Sequence, residues 1–202
     1  STPIKSSAAS DVYKRQTGGN VFDNVVIREV TDDEIQTFDR LYRGVDWGWY
    51  PDPFAYDCMT YIPSQHKLII FDEEHCNKTS NKETAELLRT KHGVTSNDLI
   101  TCDSAEQKSV GDYRADGLMA RSAEKGPGSV IYSMKWLQSL REIVIDNTRC
   151  PHTAQEFLDY EYERDKDGNV ISGYPDRDNH HIDAVRYCLL YTSPSPRDTE
   201  RS

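Results

Sequence analysis

RLYRGVDWGWYPDPFAYDCMTYIPSQHKLIIF, residues 40–71, is the stretch that decides the fold. It contains three apolar runs, Arg40 to Trp47, Phe54 to Ile62 and Lys67 to Phe71, separated by Pro-rich or polar turns. Short runs rich in β-branched and aromatic residues, bounded by turn residues, are typical of β-strands. The segment therefore predicts three sequential strands that pair antiparallel.

Downstream of these strands, helix and strand signals alternate. Ser80 and Asn81 offer a cap to a short amphipathic helix, and Ser129 can cap a later helix that extends through Leu140. The Asp-Gly dipeptide at 167–168, between YEYER and NVISGY, is a β-hairpin signal. The other predicted elements are strands at 98–102, 118–122 and 143–146 and helices at 107–116 and 179–190. This order describes an α/β ribonuclease-H-like fold, a central mixed sheet of three antiparallel and then parallel strands, flanked by helices, with an added β-hairpin.

The two ends of the chain differ in composition from the rest. Residues 1–16, STPIKSSAASDVYKRQ, and the tail after Tyr191, TSPSPRDTERS, are rich in Ser, Pro and charge and have no apolar periodicity. Both resemble translated cloning sequence, so we expect residues 1–16 and 192–202 to be disordered and non-native. Residues 17–191 are then one domain.

The composition bounds the class of protein. Hydrophobic residues make up 36% and charged residues 29% of the 202 residues, and no run of 18 or more apolar residues offers a membrane span, so we expect a soluble protein. Five cysteines without a CxxC pair favour buried thiols in a reducing cytoplasm over a disulfide framework or a zinc knuckle. The formal net charge of −10 means that any contact with nucleic acid must come from local basic residues.

Three widely spaced aspartates are the strongest functional signal. Asp46 lies in GVDWG, Asp103 ends the apolar strand of LITCDSAE, and Asp183 lies in HHIDAVRY, where His180 is on the same helix face. Carboxylates that a fold brings together can hold two divalent cations for phosphodiester hydrolysis. We therefore expect these side chains to converge on a metal site.

Simpler interpretations exist for single members of the set. Asp46 could cap a turn toward Pro51, and Asp103 could be an ordinary helix N-cap. For a role of Asp46 as a metal ligand, the neighbouring Gly44 and Gly48 would let a metal and a DNA phosphate approach the backbone closely, and both interpretations stay open.

The sequence also predicts roles for the residues around the last predicted helix. Asp176 and Asp178 precede it and could cap it or contact the ligands of a metal site, and we expect the cap. His181 is on a different helix face from His180, so we expect it to be structural or exposed to solvent.

Four motifs in this order resemble one known family. GVDWGWYPDPFA, LITCDSAEQKS, AEKGPGSVIYSMKWL and NHHIDAVRY are similar to the nuclease domain of the large terminase subunit of tailed bacteriophages and prophages. The resemblance runs from about Thr17 to Leu190. It implies the ribonuclease-H-like fold and a metal-dependent DNA endonuclease that cuts concatemeric double-stranded DNA.

The resemblance also implies roles for the site residues. The third catalytic aspartate of terminases maps onto Asp183, and a metal-site histidine maps onto His180. Asp46 would bridge two Mg²⁺ or Mn²⁺ ions, Asp103 would hold one and Asp183 the other, with His180 as a further ligand or proton carrier.

Contacts with DNA are predicted less sharply. Lys125, Gly126 and Gly128 join a lysine to a turn and a helix N-terminus, which could cradle a phosphate or be an ordinary loop. Arg164 and Lys166 on the hairpin could grip a duplex or merely keep its tip soluble.

The resemblance implies a larger assembly. Packaging terminases carry an ATPase motor, yet no GxxxxGK[ST] phosphate loop occurs in this chain, so we expect a nuclease domain without ATPase activity that belongs to a longer protein. Its expected partners are double-stranded DNA, the phage portal, the small terminase subunit and the ATPase domain, and its expected location is the cytoplasm of the infected bacterium. The alternatives are a module that docks on the portal with weak or regulated cleavage, and another ribonuclease-H-like nuclease such as a resolvase.

Overall fold

A seven-stranded mixed β-sheet lies at the centre of the fold. The computed structural model describes residues 19–171 and 173–189, so the expectations for residues 1–16 and 192–202 lie outside the described residues. The strands are β1 Val25–Ile27, β2 Tyr42–Asp46, β3 Phe54–Ile62, β4 Lys67–Cys76, β5 Leu99–Cys102, β6 Met119–Ser122 and β7 Glu142–Ile145. Their order across the sheet is β1-β7-β4-β3-β2-β5-β6.

β2, β3 and β4 form the antiparallel unit that the sequence predicts. Asp46 pairs with Ala55 at the end of the β2–β3 ladder, and Phe54 pairs with Cys76 at the end of the β3–β4 ladder. The other neighbouring strands pair in parallel: β5 with β2, β6 with β5, β7 with β4 and β1 with β7. The predicted mixed sheet is confirmed, although β4 continues beyond the predicted Phe71.

Helices cover both faces of the sheet. They are α1 Asp32–Ile35, α2 Asn81–Thr90, α3 Gln107–Ala115, α4 Ser129–Ser139, α5 Pro151–Asp159 and α6 His180–Leu189. Successive side chains of a strand point to opposite faces. Ile143 and Ile145 of β7 therefore join the core formed with α4, α5 and α6, whereas Val144 joins the core formed with α2 and α3. None of the helices in the two described ranges is long and apolar enough to cross a membrane.

The helix starts were predicted with mixed success. Ser80 caps α2 as expected, because its side chain accepts a hydrogen bond from the Glu83 N–H while the Glu83 carboxylate accepts one from the Ser80 N–H at 2.8 Å. The prediction that Ser129 caps α4 is wrong. Gly128 is the N-cap residue, with φ of 79°, a left-handed conformation that glycine adopts without steric cost.

The predicted hairpin turn is present. Arg164 and Val170 form a β-bridge, and the Asp165 carboxylate accepts hydrogen bonds from the N–H groups of Asp167 and Asn169 at 2.9 and 2.8 Å. Beyond that bridge, the Ile171 N–H donates to the Glu163 carbonyl at 2.7 Å. Over the described residues, the arms therefore pair at isolated positions and do not form regular strands.

The cysteines are free thiols, as predicted. Cys58, Cys102, Cys150 and Cys188 are buried and Cys76 is half-buried. Burial raises the pKa of the Cys58 thiol to about 12, so this side chain carries little thiolate at neutral pH.

His92 follows α2 and gives the fold a predictable pH dependence. Its side chain is only 2% exposed, and its Nδ1 and Nε2 lie 2.9 Å from Asp72 and 2.8 Å from Glu74. Burial opposes the charge on the imidazole, but the hydrogen bonds with Asp72 and Glu74 outweigh it and raise the pKa of His92. Because the folded state binds this proton more tightly, the stabilisation is complete below the unfolded pKa of about 6.5 and is lost as the pH rises through the folded pKa.

We expect the unfolding free energy of the parent to fall relative to that of His92→Gln as the pH rises above about 6.5. The slope can reach about 1.4 kcal/mol per pH unit for one proton. Urea unfolding between pH 6 and pH 9 measures the unfolding free energies of both proteins. Groups that titrate alike in both proteins cancel in the difference between the two values. If the unfolding free energies of the two proteins changed in parallel with pH, His92 would not be the source of this pH dependence.

Candidate active site

Two of the predicted aspartates come from neighbouring parallel strands. Asp46 is the last residue of β2, and Asp103 directly follows β5. The Asp103 N–H donates to the Val45 carbonyl at 3.2 Å, which holds the two strand ends together. The side chains therefore emerge at the same edge of the sheet.

Helix α6 brings the other two predicted residues to that edge. His180 Nδ1 lies 3.1 Å from Asp46 Oδ2. The Tyr187 hydroxyl lies 3.4 Å from Asp46 Oδ1 and 3.4 Å from Asp183 Oδ2, so it spans the two carboxylates. The structure thus gathers Asp46, Asp183 and His180 on one side of α6.

Neither simpler interpretation of the strand-end aspartates agrees with the structure. The Asp46 carboxylate contacts His180 and Tyr187, and it does not cap a turn toward Pro51 in the described contacts. Asp103 is not the N-cap of α3, because Glu106 has that position. Asp103 Oδ1 instead accepts the Ala105 N–H at 2.9 Å, which fixes the turn after β5.

The expected role of the glycines beside Asp46 is wrong. A Cβ atom on Gly44 would lie 1.8 Å from the Ala184 carbonyl oxygen of α6, so the missing side chain admits a helix. A Cβ atom on Gly48 would lie 2.3 Å from the Pro53 carbonyl oxygen, so this glycine admits the loop before β3. Both glycines make room for the protein's own backbone, and neither position is open for a metal or a phosphate.

Asp46 is the most buried of the three carboxylates. Asp46 is 9% exposed. Burial raises the pKa of its carboxyl group, the hydrogen bond from His180 lowers it, and the nearby Asp183 and Asp103 raise it further, with a net increase. The hydrogen bond with Asp46 raises the pKa of His180 in turn. A cation that enters the site would therefore stabilise the charged form of the carboxylate.

Lys125 is one of the cations of the protein that lie at the site. The Lys125 ammonium forms an ion pair with the Asp103 carboxylate and donates to the Tyr187 hydroxyl at 3.2 Å. Three carboxylates and one imidazole form a hard, oxygen-rich set of donors, which suits Mg²⁺ or Mn²⁺ better than zinc. The chemistry of these donors therefore suits a divalent metal, although in the described structure no three of the four residues place their ligand atoms within 4.8 Å of one another.

Two further site residues were not predicted. The Arg186 guanidinium binds Asp183 Oδ1 through Nη2 at 2.6 Å and Nε at 3.0 Å, and it is itself anchored by the Ser133 hydroxyl at 3.1 Å. Tyr187 is the hydroxyl described above. Both follow Asp183 by three and four positions in the helix, which is the spacing that places side chains on one face. That spacing was the signal available in the sequence.

The five residues predicted to contact DNA lie in different parts of the structure. Lys125 lies in the site itself, while Gly126 and Gly128 lie in the exposed turn that leads into α4. Arg164 donates to the Gly168 carbonyl at 2.8 Å within the hairpin, and Lys166 is exposed at its tip. The contact of Lys125 with Asp103 makes it part of the acidic site, and the DNA-binding role of all five residues stays a prediction.

The chain matches one family model and several known proteins. The model is described as the terminase RNase H-like domain and matches residues 46–190. The large terminase subunit of Bacillus phage SPP1 is 37% identical over 172 residues, which cover 83% of this chain and 40% of that protein. The PBSX phage terminase large subunit of Bacillus subtilis strain 168 is 31% identical over 146 residues, 72% of this chain and 33% of that protein. The chain thus spans about 40% of the first relative and about a third of the second.

Solved structures agree with these matches. The crystal structure of the nuclease domain of the SPP1 large terminase, g2p, with bound Mn superposes with a TM-score of 0.78 at 35% identity, over 85% of this chain and 98% of that one. The large terminase of a thermophilic bacteriophage superposes with a TM-score of 0.63 at 15% identity, over 87% of this chain and 46% of that one. The second likeness concerns the fold alone.

Proposed function

Because the chain belongs to the family of terminase RNase H-like domains, we propose that this nuclease domain cuts concatemeric double-stranded DNA by metal-dependent hydrolysis of phosphodiester bonds. The observation that carries the proposal is the meeting of Asp46, Asp183 and His180 at one edge of the sheet, beside Asp103 with its lysine partner. We assign residues 17–191 to this domain.

The carboxylates supply the ligands. Asp46 would be shared by two Mg²⁺ or Mn²⁺ ions, Asp103 would hold one of them, and Asp183, kept in place by Arg186, would hold the other. Bound in this way, the ions supply polarisation of an attacking water and charge neutralisation at the departing 3′ oxygen. The Mn bound to the SPP1 nuclease domain supports the choice of metal.

His180 and Lys125 would take part in proton transfer and charge neutralisation. His180 Nδ1 bonds Asp46, and its Nε2 lies 3.6 Å from a carboxylate oxygen of the exposed Asp52. A proton that leaves the site through the imidazole therefore has an acceptor at the surface. Lys125 neutralises Asp103 and would be displaced toward a DNA phosphate when a metal takes its place.

The wider biology is part of the proposal. The chain would act beside the ATPase domain of the same longer protein, with the portal and the small terminase subunit as partners, in the cytoplasm of an infected bacterium. The lengths of the two large-subunit relatives support a longer protein.

Cleavage of supercoiled plasmid DNA tests the activity. We expect nicking and then linearisation with Mn²⁺ or Mg²⁺, and no cleavage with Ca²⁺ or EDTA. Cleavage that proceeds equally well in EDTA would contradict a metal-dependent nuclease. A protein that binds DNA and metal but never cuts would favour the portal-docking alternative.

A further inference from the structure

The first turn of α6 is held by a side chain from another helix. Glu156 of α5 accepts hydrogen bonds from the His181 N–H at 2.8 Å and the Ile182 N–H at 3.2 Å, both on its Oε2 atom. The N–H groups of a first helical turn have no partner within the helix and favour negative charge. The described contacts thus give the capping role to Glu156, and the expectation that Asp176 or Asp178 caps this helix is wrong.

The ring of His181 is a second anchor for the same turn. It is fully buried, so the expectation of a structural role is confirmed and that of solvent exposure is wrong. Its Nδ1 lies 2.9 Å from Asp57 Oδ2, and its Nε2 lies 3.0 Å from His75 Nδ1. Asp57 is itself fixed by the Thr153 hydroxyl at 2.6 Å. Strands β3 and β4 and helix α5 therefore all hold the residue next to His180.

Asp57, Glu73 and His181 have the side-chain types of a metal site and lie close together. Each of them nevertheless has hydrogen-bond partners within the protein. Glu73 Oε2 accepts from the Thr153 N–H at 2.8 Å, and Glu73 Oε1 accepts from the His152 N–H at 3.0 Å. The Thr153 hydroxyl lies 2.7 Å from Glu73 Oε2 as well as close to Asp57, and it donates its one proton to either carboxylate. Asp57 Oδ1 lies 2.6 Å from the Thr153 hydroxyl, and Asp57 Oδ2 lies 2.9 Å from His181 Nδ1. Groups that contact one another in this way form a scaffold, and a metal that entered it would have to replace hydrogen bonds that are already made.

The scaffold controls the orientation of the helix. In a helix, fixing the backbone of residues 181 and 182 and the ring of 181 also fixes the direction of neighbouring side chains. His180 and Asp183 are those neighbours, and they point to the opposite side, toward Asp46 and Tyr187. A displacement of about 1 Å in a reacting group can cost about a hundredfold in rate.

We propose that Glu156 is a positioning residue for the nuclease site: its two hydrogen bonds to the first turn of α6, supported by the Asp57–His181 contact, set the places of His180 and Asp183. This inference rests on the proposed function for its catalytic consequence. Glu156 itself contacts backbone N–H groups, and we assign it no contact with DNA or metal.

Three substitutions of Glu156 separate the effect of side-chain length from the effect of charge. Glu156→Ala removes the acceptor, Glu156→Gln keeps an oxygen at the same reach without charge, and Glu156→Asp keeps the charge but shortens the reach. We expect kcat to fall about 10- to 100-fold in the Ala and Asp variants with KM for DNA unchanged, and to stay within about threefold of the parent in the Gln variant. Single-turnover and steady-state plasmid cleavage in Mn²⁺ measure both constants.

A matched control excludes a general loss of stability. Thr84→Val removes another buried hydrogen bond, from the Tyr113 hydroxyl at 2.8 Å, in α2 on the opposite face of the sheet. We expect it to destabilise the fold without changing kcat. Equal loss of kcat in Thr84→Val and Glu156→Ala would overturn the proposal, as would a Gln variant as impaired as the Ala variant, because charge would then matter more than the hydrogen bonds.

Metal binding, measured without DNA cleavage, tests the positioning role of Glu156 separately from the proposed nuclease activity. We expect Mn²⁺ binding, followed by electron paramagnetic resonance, to weaken about tenfold in Glu156→Ala and Glu156→Asp and to be retained in Glu156→Gln. If the parent does not cut DNA but this pattern holds, the proposed function fails and the positioning role stands. If the parent cuts DNA and all three variants bind Mn²⁺ and cut like it, the positioning role fails alone. Should Glu156→Ala not fold, the Asp and Gln pair still decides the question.

Discussion

Asp46→Asn is expected to lower the rate of DNA cleavage about a thousandfold in Mn²⁺. The loss of several kcal/mol of transition-state stabilisation explains this size, because about 1.4 kcal/mol corresponds to a factor of ten. The amide oxygen still accepts a hydrogen bond from His180, but it carries no charge to hold a cation. Single-turnover cleavage of plasmid DNA at saturating protein gives the rate.

The same substitution is expected to leave the fold intact. Burial raises the pKa of Asp46, which means that the charged form is disfavoured in its surroundings, so a neutral amide of the same shape fits at least as well. Urea unfolding should therefore give an unfolding free energy equal to or above that of the parent. Asp33→Asn, which changes an exposed carboxylate in α1, is the control and should cut at the parental rate. Rapid cleavage by Asp46→Asn would show that the activity comes from elsewhere.

Gly44→Ala is expected to damage both stability and cleavage. The added Cβ would lie 1.8 Å from the Ala184 carbonyl oxygen and 2.9 Å from Cys188 Sγ, and a backbone atom cannot move aside as a flexible side chain can. Helix α6 would have to leave β2, at a cost of about 3 kcal/mol. Since α6 carries His180 and Asp183, we expect the rate of cleavage to fall about a hundredfold as well.

Gly111→Ala is the matched control for this change. Gly111 lies in α3, and a Cβ there would meet nothing within 4 Å. Alanine is a better helix former than glycine, so the control should be neutral or stabilise the fold by up to about 1 kcal/mol. Urea unfolding of both variants, together with plasmid cleavage, checks the pair. A Gly44→Ala protein as stable and active as Gly111→Ala would mean that α6 does not pack on β2 as described.

Most of the sheet could be predicted from local pattern. β2, β3 and β4 are each bounded by turn residues, which is a strong signal for strands that are neighbours in sequence. β1 was missed because Val25–Ile27 is only three residues long, too short to show a period. α5 was missed because its start has Cys150 at the N-cap position, without a side-chain hydrogen bond, and only Pro151 marks its first turn.

The positions of the carboxylates at the strand ends and on the last helix were predictable, and their surroundings were less so. A strand-end aspartate has a local signature, but the arrival of Lys125 at Asp103 depends on tertiary contacts that no spacing reveals. Gly44 illustrates the same limit: its lack of a side chain indicated a close approach, and only the fold identifies α6 as what approaches. Glu156 has no motif at all, because its partners are backbone groups of another helix.

The position of α6 at the far end of the described chain has a consequence for how the nuclease comes into being. More than half of the sequence separates Asp46 from Asp183, so the two can meet only through a contact of very long range. Closing so large a loop is entropically costly, so we expect it to follow local strand pairing. A nascent chain with its sheet already formed would still lack His180 and Asp183, two of the four residues proposed to hold the metal, so the proposed site would be completed in the same event as the core.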